Sequence, residues 1–124
     1  PVCHQSLSLA ARHLEAAGIT TVIMGCAKDI VEHCGVPRFV FSDFPLGNAA
    51  GRPFDEQSQH FTLGLALSAL DIVARPRTTL VSPLAWKAGD DSWKDDYSNP
   101  ARLSAEELAR RRAEFDAAKG KATA

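Results

Sequence analysis

Amphipathic helical patterns alternate with short β-branched or aromatic runs along the first two thirds of this chain. Apolar residues recur at helical spacing over about 5–17, which predicts a first helix that ends at Gly18. The runs at 19–24, 38–42 and 78–81 are short and apolar, as buried strands are, and a helix is predicted between each pair. This alternation is typical of a parallel sheet with right-handed crossovers, in which ligands bind beyond the carboxyl ends of the strands.

The predicted fold class is therefore α/β. We expect a parallel sheet of about three or four strands with flanking helices in a Rossmann-like, three-layer arrangement, followed by an extended polar C-terminal tail that ends in a helix. An α/β domain would occupy 1–83 and an irregular aromatic and acidic segment 84–103. A C-terminal helix and tail would occupy 104–124, where Ser104 and Glu107 form a capping box.

The longest predicted helix begins after Asp55 and runs to about Ala74. Its projection gives two apolar stripes on nearly opposite sides, one with Phe54, Phe61, Leu65 and Ile72 and the other with Leu63, Leu67 and Leu70. A helix that is apolar on two sides needs two neighbours. We therefore expect it to lie between layers or to form a subunit interface.

Composition narrows the possible function classes. The chain has 124 residues, with 14 basic against 15 acidic residues and a formal net charge of -1, so no overall basic field favours nucleic acid. The longest strongly apolar stretch, 63–74, contains Asp71 and is shorter than the roughly 20 residues that a membrane span needs. Three cysteines are an odd number at low density, which argues against a secreted disulfide framework and favours a reducing, cytoplasmic location.

Three cysteines and two histidines are expected near one end of the sheet. Cys3 lies in the first turn of the first helix, where unpaired backbone N–H groups and the helix dipole favour a thiolate. Cys26 follows the first strand at its carboxyl end, so Cys3 and Cys26 are expected to approach each other. His4 neighbours Cys3, and His33 and Cys34 close the second helix. Cys3, Cys26, His4 and His33 are the candidate catalytic residues.

Simpler roles remain open for these side chains. Free cysteine is a common small core residue, which is an alternative for Cys26 and above all for Cys34. His33 could instead cap the end of its helix. The chain lacks the tight C-x-x-C knuckle of structural zinc sites, so no metal is expected. The alternative is a three-ligand site of Cys3, Cys26 and Cys34, which would need tertiary assembly. No other cofactor is expected.

The segment 43–53 is rich in glycine and proline and is longer than a typical connection, as functional loops often are. Its glycine N–H groups and Arg52 suit a carboxylate or a phosphate, although the P-loop order of residues is missing. Asp43, Asn48 and Arg52 are therefore the candidate substrate-binding residues. The alternative is a conformationally demanding turn with no ligand.

Four motifs follow one another in a recognisable order: Pro1-Val2-Cys3-His4 at a helix start, Glu15-Ala16-Ala17-Gly18-Ile19 before a strand, Gly35-Val36-Pro37-Arg38, and Phe44-Pro45-Leu46-Gly47-Asn48 after a second strand. In this order they resemble the C-terminal part of the glycine/sarcosine/betaine/D-proline reductase selenoprotein B family. The resemblance covers about residues 1–74, and the Pro-Leu-Gly-Asn loop is its most specific element.

The resemblance implies a thiol-based reductase that cleaves a carbon–heteroatom bond in a small anionic substrate. Cys3 matches the later cysteine of the family's redox motif, which supports or resolves, and the principal nucleophile of the family stands before it. The chain is therefore expected to be a C-terminal piece of a longer or split protein, or a reduced relative whose chemistry has changed. A further strand and the nucleophile would then come from another segment or another chain.

Two kinds of role follow from these patterns. The first is a reductase subunit or domain that works as a homo-oligomer or within a larger complex, with Cys3 as redox thiol and Cys26 as its partner. The second is a non-catalytic α/β subunit that docks on a larger partner complex through its two-sided helix. The sequence leaves open whether the chain is itself an enzyme.

Overall fold

The computed structural model describes residues 2–98 and 103–122. It contains a three-stranded, all-parallel open sheet formed by β1 (Ile23–Gly25), β2 (Arg38–Phe41) and β3 (Thr78–Val81), in that spatial order. Gly25 lies opposite Phe41, and Phe41 lies opposite Val81, so the three strands end at the same level. Helices flank this sheet, which confirms the predicted α/β class.

Three helices accompany the sheet. Helix α1 (Val2–Ala16) precedes β1, α2 (Lys28–Cys34) connects β1 to β2, and α3 (Glu56–Ile72) connects β2 to β3. Helix α1 begins earlier than predicted, so that Cys3 and His4 lie within its first turn. Gly35 ends α2 in the left-handed conformation, with a φ of 74°, as expected for a helix followed by glycine.

Strand β1 is shorter than the predicted run of residues 19–24, because neighbouring groups take up its first backbone donors. The Ile19 N–H donates to the Leu14 carbonyl at the end of α1, and the Thr21 N–H donates to the Glu15 carboxylate. These donors are directed back to the helix rather than to a strand. The prediction of a strand over residues 19–22 is therefore wrong, and the β-branched residues there form a connecting segment.

Apolar side chains pack on both faces of the sheet. On one face, Phe39 packs with Ala11 of α1, Val31 of α2 and Val36 of the connection that follows α2. On the other face, Val40 packs against Ala66 and Ala69 of α3. Successive strand residues point to opposite faces, so this alternation makes a central sheet with a helical layer on each side.

The two crossover helices lie on opposite faces of the sheet. Both connections step in the same direction, from β1 to β2 and from β2 to β3, yet α2 packs on the Phe39 face and α3 on the Val40 face. Strands that advance in one direction with helices on opposite faces require connections of opposite hand. The expectation of right-handed crossovers is thus correct for one connection and wrong for the other.

Helix α3 buries small residues and leaves most of its large ones exposed. Its buried positions are Ser58, Thr62, Ala66 and Ala69. Leu63 and Leu67, by contrast, are 51% and 56% exposed. The sequence projection predicts two sides of the helix lined with large apolar residues. In the structure the helix instead packs through small residues, which let it lie close to the sheet. Both apolar stripes that the sequence indicated are therefore largely exposed, with Phe61 and Ile72 on one and Leu63 and Leu67 on the other.

The chain divides into one compact unit up to Gly89 and a second from Asp90 onward. The second unit contains α4 (Trp93–Ser98) and α5 (Ala105–Ala122), and the N–H of Glu107 donates to Ser104 Oγ at 3.1 Å, as a capping residue requires. The sequence pattern missed α4, placing an irregular segment there. Among the residues described, no helix is long and apolar enough to cross a membrane.

Candidate functional site

A row of small polar residues follows the three strands at the carboxyl edge of the sheet: Cys26, Ser42 and Ser82. The backbone ladder continues into this row, because the Ser42 N–H donates to the Gly25 carbonyl at 3.0 Å and the Ser82 N–H donates to the Phe41 carbonyl at 2.8 Å. Sequence reasoning selected Cys26 and missed the two serines. The signal was present, since each strand is followed directly by a small polar residue.

His4 joins the first turn of α1 to this edge. Its Nε2 atom accepts the backbone N–H of Cys26 at 3.1 Å. Burial lowers the pKa of His4, and the charge of Asp29 opposes that shift. The ring is therefore neutral near pH 7, with its proton on Nδ1, and holds the start of the segment after β1 in place.

Gly25 makes room for this histidine. A Cβ atom on Gly25 would lie 2.9 Å from His4 Cδ2 and 3.1 Å from Phe39 Cε2, closer than carbon atoms normally pack. The contact between α1 and the end of β1 therefore depends on the absence of a side chain at this position.

The Cys26 thiol lies under the loop that follows β2. Burial raises the pKa of Cys26, while hydrogen bonds from the backbone N–H groups of Asn48 and Phe44 act in the opposite direction, and Asp43 adds a smaller rise. Burial is the largest of these effects, so Cys26 is a protonated thiol near pH 7. The structure thus brings Asn48 and Cys26 together.

Cys3 is exposed on α1 and borders a cavity of about 180 Å³. His4, Leu7, Ile23, Met24, Gly47 and Ala49 complete its lining. Cys3 and His4 therefore face the same loop that covers Cys26. The cavity is smaller than a typical pocket for a drug-sized ligand and suits a molecule of a few heavy atoms.

Arg52 lies at a different place on the surface. Its Nε atom is 2.9 Å from Asp55 Oδ2, and its Nη1 donates to the Ala85 carbonyl at 3.2 Å. It lines a separate cavity of about 360 Å³ with Pro53, Trp86 and Lys87. Arg52 thus borders a space distinct from the one that Cys3 and His4 line.

The remaining candidates are divided between the loop and the helices. Asn48 Nδ2 donates to the Pro45 carbonyl at 3.0 Å, and Asp43 is exposed just after β2. His33 and Cys34 line a third cavity of about 480 Å³ with residues of α1 and α2, namely Val2, Gln5, Asp29 and Ile30. The structure therefore groups Cys3, His4, Cys26 and Asn48 and leaves His33 outside that group.

An ion pair lies at the amino end of β2, at the opposite end of the strands from Cys26, Ser42 and Ser82. Glu15 Oε1 accepts from Arg38 Nη1 at 2.9 Å and from the Thr21 hydroxyl at 3.0 Å. Both charged side chains are largely buried, at 20% and 18% exposure. Glu15 and Arg38 belong to two of the motifs noted in the sequence, and their contacts join α1, the segment before β1 and β2.

A metal site is not formed by the part of the chain that the structure describes. Within residues 2–98 and 103–122, no three histidine, cysteine or acidic side chains are grouped closely enough to hold a metal ion.

Part of this chain is similar to a known protein. A protein named D-proline reductase subunit gamma, from Acetoanaerobium sticklandii, is 35% identical to it over 57 residues. The match covers 46% of this chain and 24% of the relative, so the chain spans about a quarter of that protein's length. No protein-family model and no solved structure matches the chain. The match indicates a distant relation to that reductase family without singling out a member.

Proposed function

We propose that this chain is a subunit or domain of a thiol-dependent reductase that cleaves a carbon–heteroatom bond in a small anionic substrate. The observation that carries the proposal is the match to a D-proline reductase subunit. That relative is named as a subunit, and we propose that this chain likewise works within a larger assembly.

The arrangement at the carboxyl edge of the sheet supports the same proposal. Cys3 is exposed beside a small cavity, and the Cys26 backbone hydrogen-bonds to His4, the residue next to Cys3. An accessible thiol and a second, protected thiol on neighbouring elements are the parts that a dithiol reductant needs. In this proposal Cys3 is the redox thiol, Cys26 is its partner, and His4 is a positioning residue; the role of His33 as a catalytic residue is left aside.

The reaction is a two-electron reduction. The carbon–heteroatom bond of the substrate breaks, and a hydrogen is added to each of its two atoms. The two thiols supply these two electrons and two protons, and their sulfurs join in a disulfide. An external dithiol then reduces the disulfide and restores the starting state. Asn48 and Asp43 of the loop are proposed to border the substrate, whereas Arg52 lines a separate cavity and is given no part in the reaction.

A single-turnover experiment tests this reaction. The fully reduced chain is incubated without oxygen and without added reductant, separately with D-proline, glycine, sarcosine and betaine. We expect one of these compounds to be reduced while the chain loses two thiols, measured by thiol titration and intact mass. If the thiol count stays unchanged with every compound, the proposal is wrong.

Matched variants identify the thiols involved. Cys3→Ser and Cys26→Ser should each abolish substrate-dependent thiol loss. Cys34→Ser is the control, because Cys34 lies at another cavity, and it should retain the full effect. Retention of thiol loss in Cys3→Ser would remove Cys3 from the reaction.

A non-catalytic docking subunit is the second candidate, and the outer surface of α3 favours it. Leu63 and Leu67 are each about half exposed there, which is costly unless another surface covers them. Under this alternative, Cys3→Ser would leave the assembly of the chain unchanged.

A further inference from the structure

The outer stripe of α3, defined as His60, Gly64, Leu67 and Asp71, lies directly opposite the side that packs on the sheet. All four residues are exposed. Beside Leu67, Gly64 leaves open space, since a Cβ built there meets nothing within 4 Å. Helix α3 therefore presents to solvent a projecting leucine next to a shallow hollow.

The spacing within the outer stripe is symmetric. Its four members are separated by four, three and four residues, which reads the same from either end. Such spacing keeps them on one straight line along the helix, as in the seam of a two-helix coiled coil. When two copies of α3 lie antiparallel along this line, His60 of each copy faces Asp71 of the other. In the same register, Leu67 of each copy faces Gly64 of the other.

This pairing would fit in both shape and charge. A leucine placed over a glycine lets two helices approach closely and covers apolar surface on both copies. The imidazole and carboxylate at each end are complementary, and such exposed pairs act mainly on orientation and register. An apolar patch alone would admit many partners, whereas complementarity of the stripe with its own reversed copy is the property of a two-fold interface.

We infer that the outer stripe of α3 binds a second copy of this chain, through an antiparallel pairing of the two α3 helices about a two-fold axis. This inference does not depend on the proposed thiol chemistry, because the outer stripe contains none of the residues assigned to it.

Light scattering after size-exclusion chromatography of the full chain, over a series of concentrations, tests the inference. We expect a dimer, and we expect Leu67→Glu to weaken it by at least about tenfold. Leu9→Glu is the matched control, because Leu9 is 52% exposed but lies on α1. Circular dichroism confirms that each variant is folded. A chain that is monomeric at every concentration, or a dimer that Leu67→Glu leaves unchanged, would overturn the inference.

Charge reversal tests the direction and register. His60→Glu alone places two acidic groups face to face at both ends of the pair, and Asp71→Lys alone places lysine against histidine. When the two variants are mixed, one end keeps its native pair and the other gains a lysine–glutamate pair. We therefore expect the mixture to form heterodimers in preference to either homodimer, as measured by native mass spectrometry. Random mixing, or assembly into species other than dimers, contradicts the antiparallel pairing.

Discussion

At the scale of single residues, Gly25 determines whether His4 can reach Cys26. The Gly25→Ala substitution would place a methyl group against the rings of His4 and Phe39. We expect it to lower the free energy of unfolding by roughly 1–3 kcal/mol, the usual cost of overpacking. Urea denaturation measures this cost. In a His4→Ala background the loss should be smaller, because one of the two clashing rings is gone; an equal loss would show that His4 does not share in it.

The same histidine and cysteine should limit the pH range over which the chain is most stable. The folded pKa of His4 is lowered by burial, so its contribution to stability is present above its unfolded value of 6.5 and is lost as the pH falls through the folded pKa. The folded pKa of Cys26 is raised by burial, so its contribution is complete below 9.0 and is lost as the pH rises through the folded pKa.

Thermal unfolding across pH checks both limits. His4→Gln should flatten the acid side of the profile, and Cys26→Ser should flatten the alkaline side. His13→Asn replaces an exposed histidine on the same helix and should leave the acid side as it is in the wild type. A His4→Gln profile that falls as steeply as the wild type below pH 6.5 would assign the effect to other groups.

Residue types and their order predicted part of the site. The placement of Cys3, His4 and Cys26 at one edge followed from a helix start and a strand end, which topology brings together. Arg52 could not be placed in the same way, because its position depends on the course of a long loop and on its contacts with Asp55 and Ala85. The spacing of these residues in the sequence follows neither the helix nor the strand period, so it does not predict these contacts.

At the scale of the elements, the contact between Glu15 and Arg38 ties the end of α1 to the start of β2. Removing the Glu15 charge would leave the largely buried Arg38 guanidinium without its acidic partner, and would weaken the bond to Thr21. We expect Glu15→Gln to cost about 1–3 kcal/mol of unfolding free energy.

Chemical denaturation of a variant set checks this contribution. Glu15→Gln, Arg38→Gln and the double variant form a thermodynamic cycle, in which the double variant should lose less than the sum of the two single losses. Glu32→Gln offers a comparison, because Glu32 is exposed and its carboxylate accepts the Thr79 hydroxyl at 2.8 Å, and this substitution should cost less. Additive losses would mean that Glu15 and Arg38 do not stabilise each other.

Periodicity predicted most of the elements, and local hydrogen bonds account for the exceptions. The end of α2 and the bounds of β3 agree with the predicted ones, since glycine or proline closes each pattern. Residues 19–22 fail as a strand because the Glu15 carboxylate and a helix carbonyl take their backbone donors. Helix α4 was missed because a polar pattern gives no apolar period; its start is marked by the Ser92 N–H, which donates to Asp90 Oδ1 at 2.9 Å.

At the scale of the whole molecule, the layers could be predicted from the sequence. The faces of the sheet on which the two crossover helices lie could not. Alternating helices and strands are enough to predict a parallel sheet covered on both faces. The side of α3 that packs on the sheet consists instead of small residues, Ser58, Thr62, Ala66 and Ala69. An apolar-stripe projection gives such residues little weight, although close packing on a sheet favours them.

The order of strands in the sheet has a consequence for the rate at which the chain folds. In the β1–β2 pair, Ile23 and Phe39 are separated by 16 residues, whereas in the β2–β3 pair Phe39 and Thr79 are separated by 40. Closing the longer loop costs about 0.8 kcal/mol more chain entropy. We therefore expect β1, α2 and β2 to assemble first. In stopped-flow refolding, Val31→Ala should mainly slow folding, whereas Leu80→Ala should mainly speed unfolding.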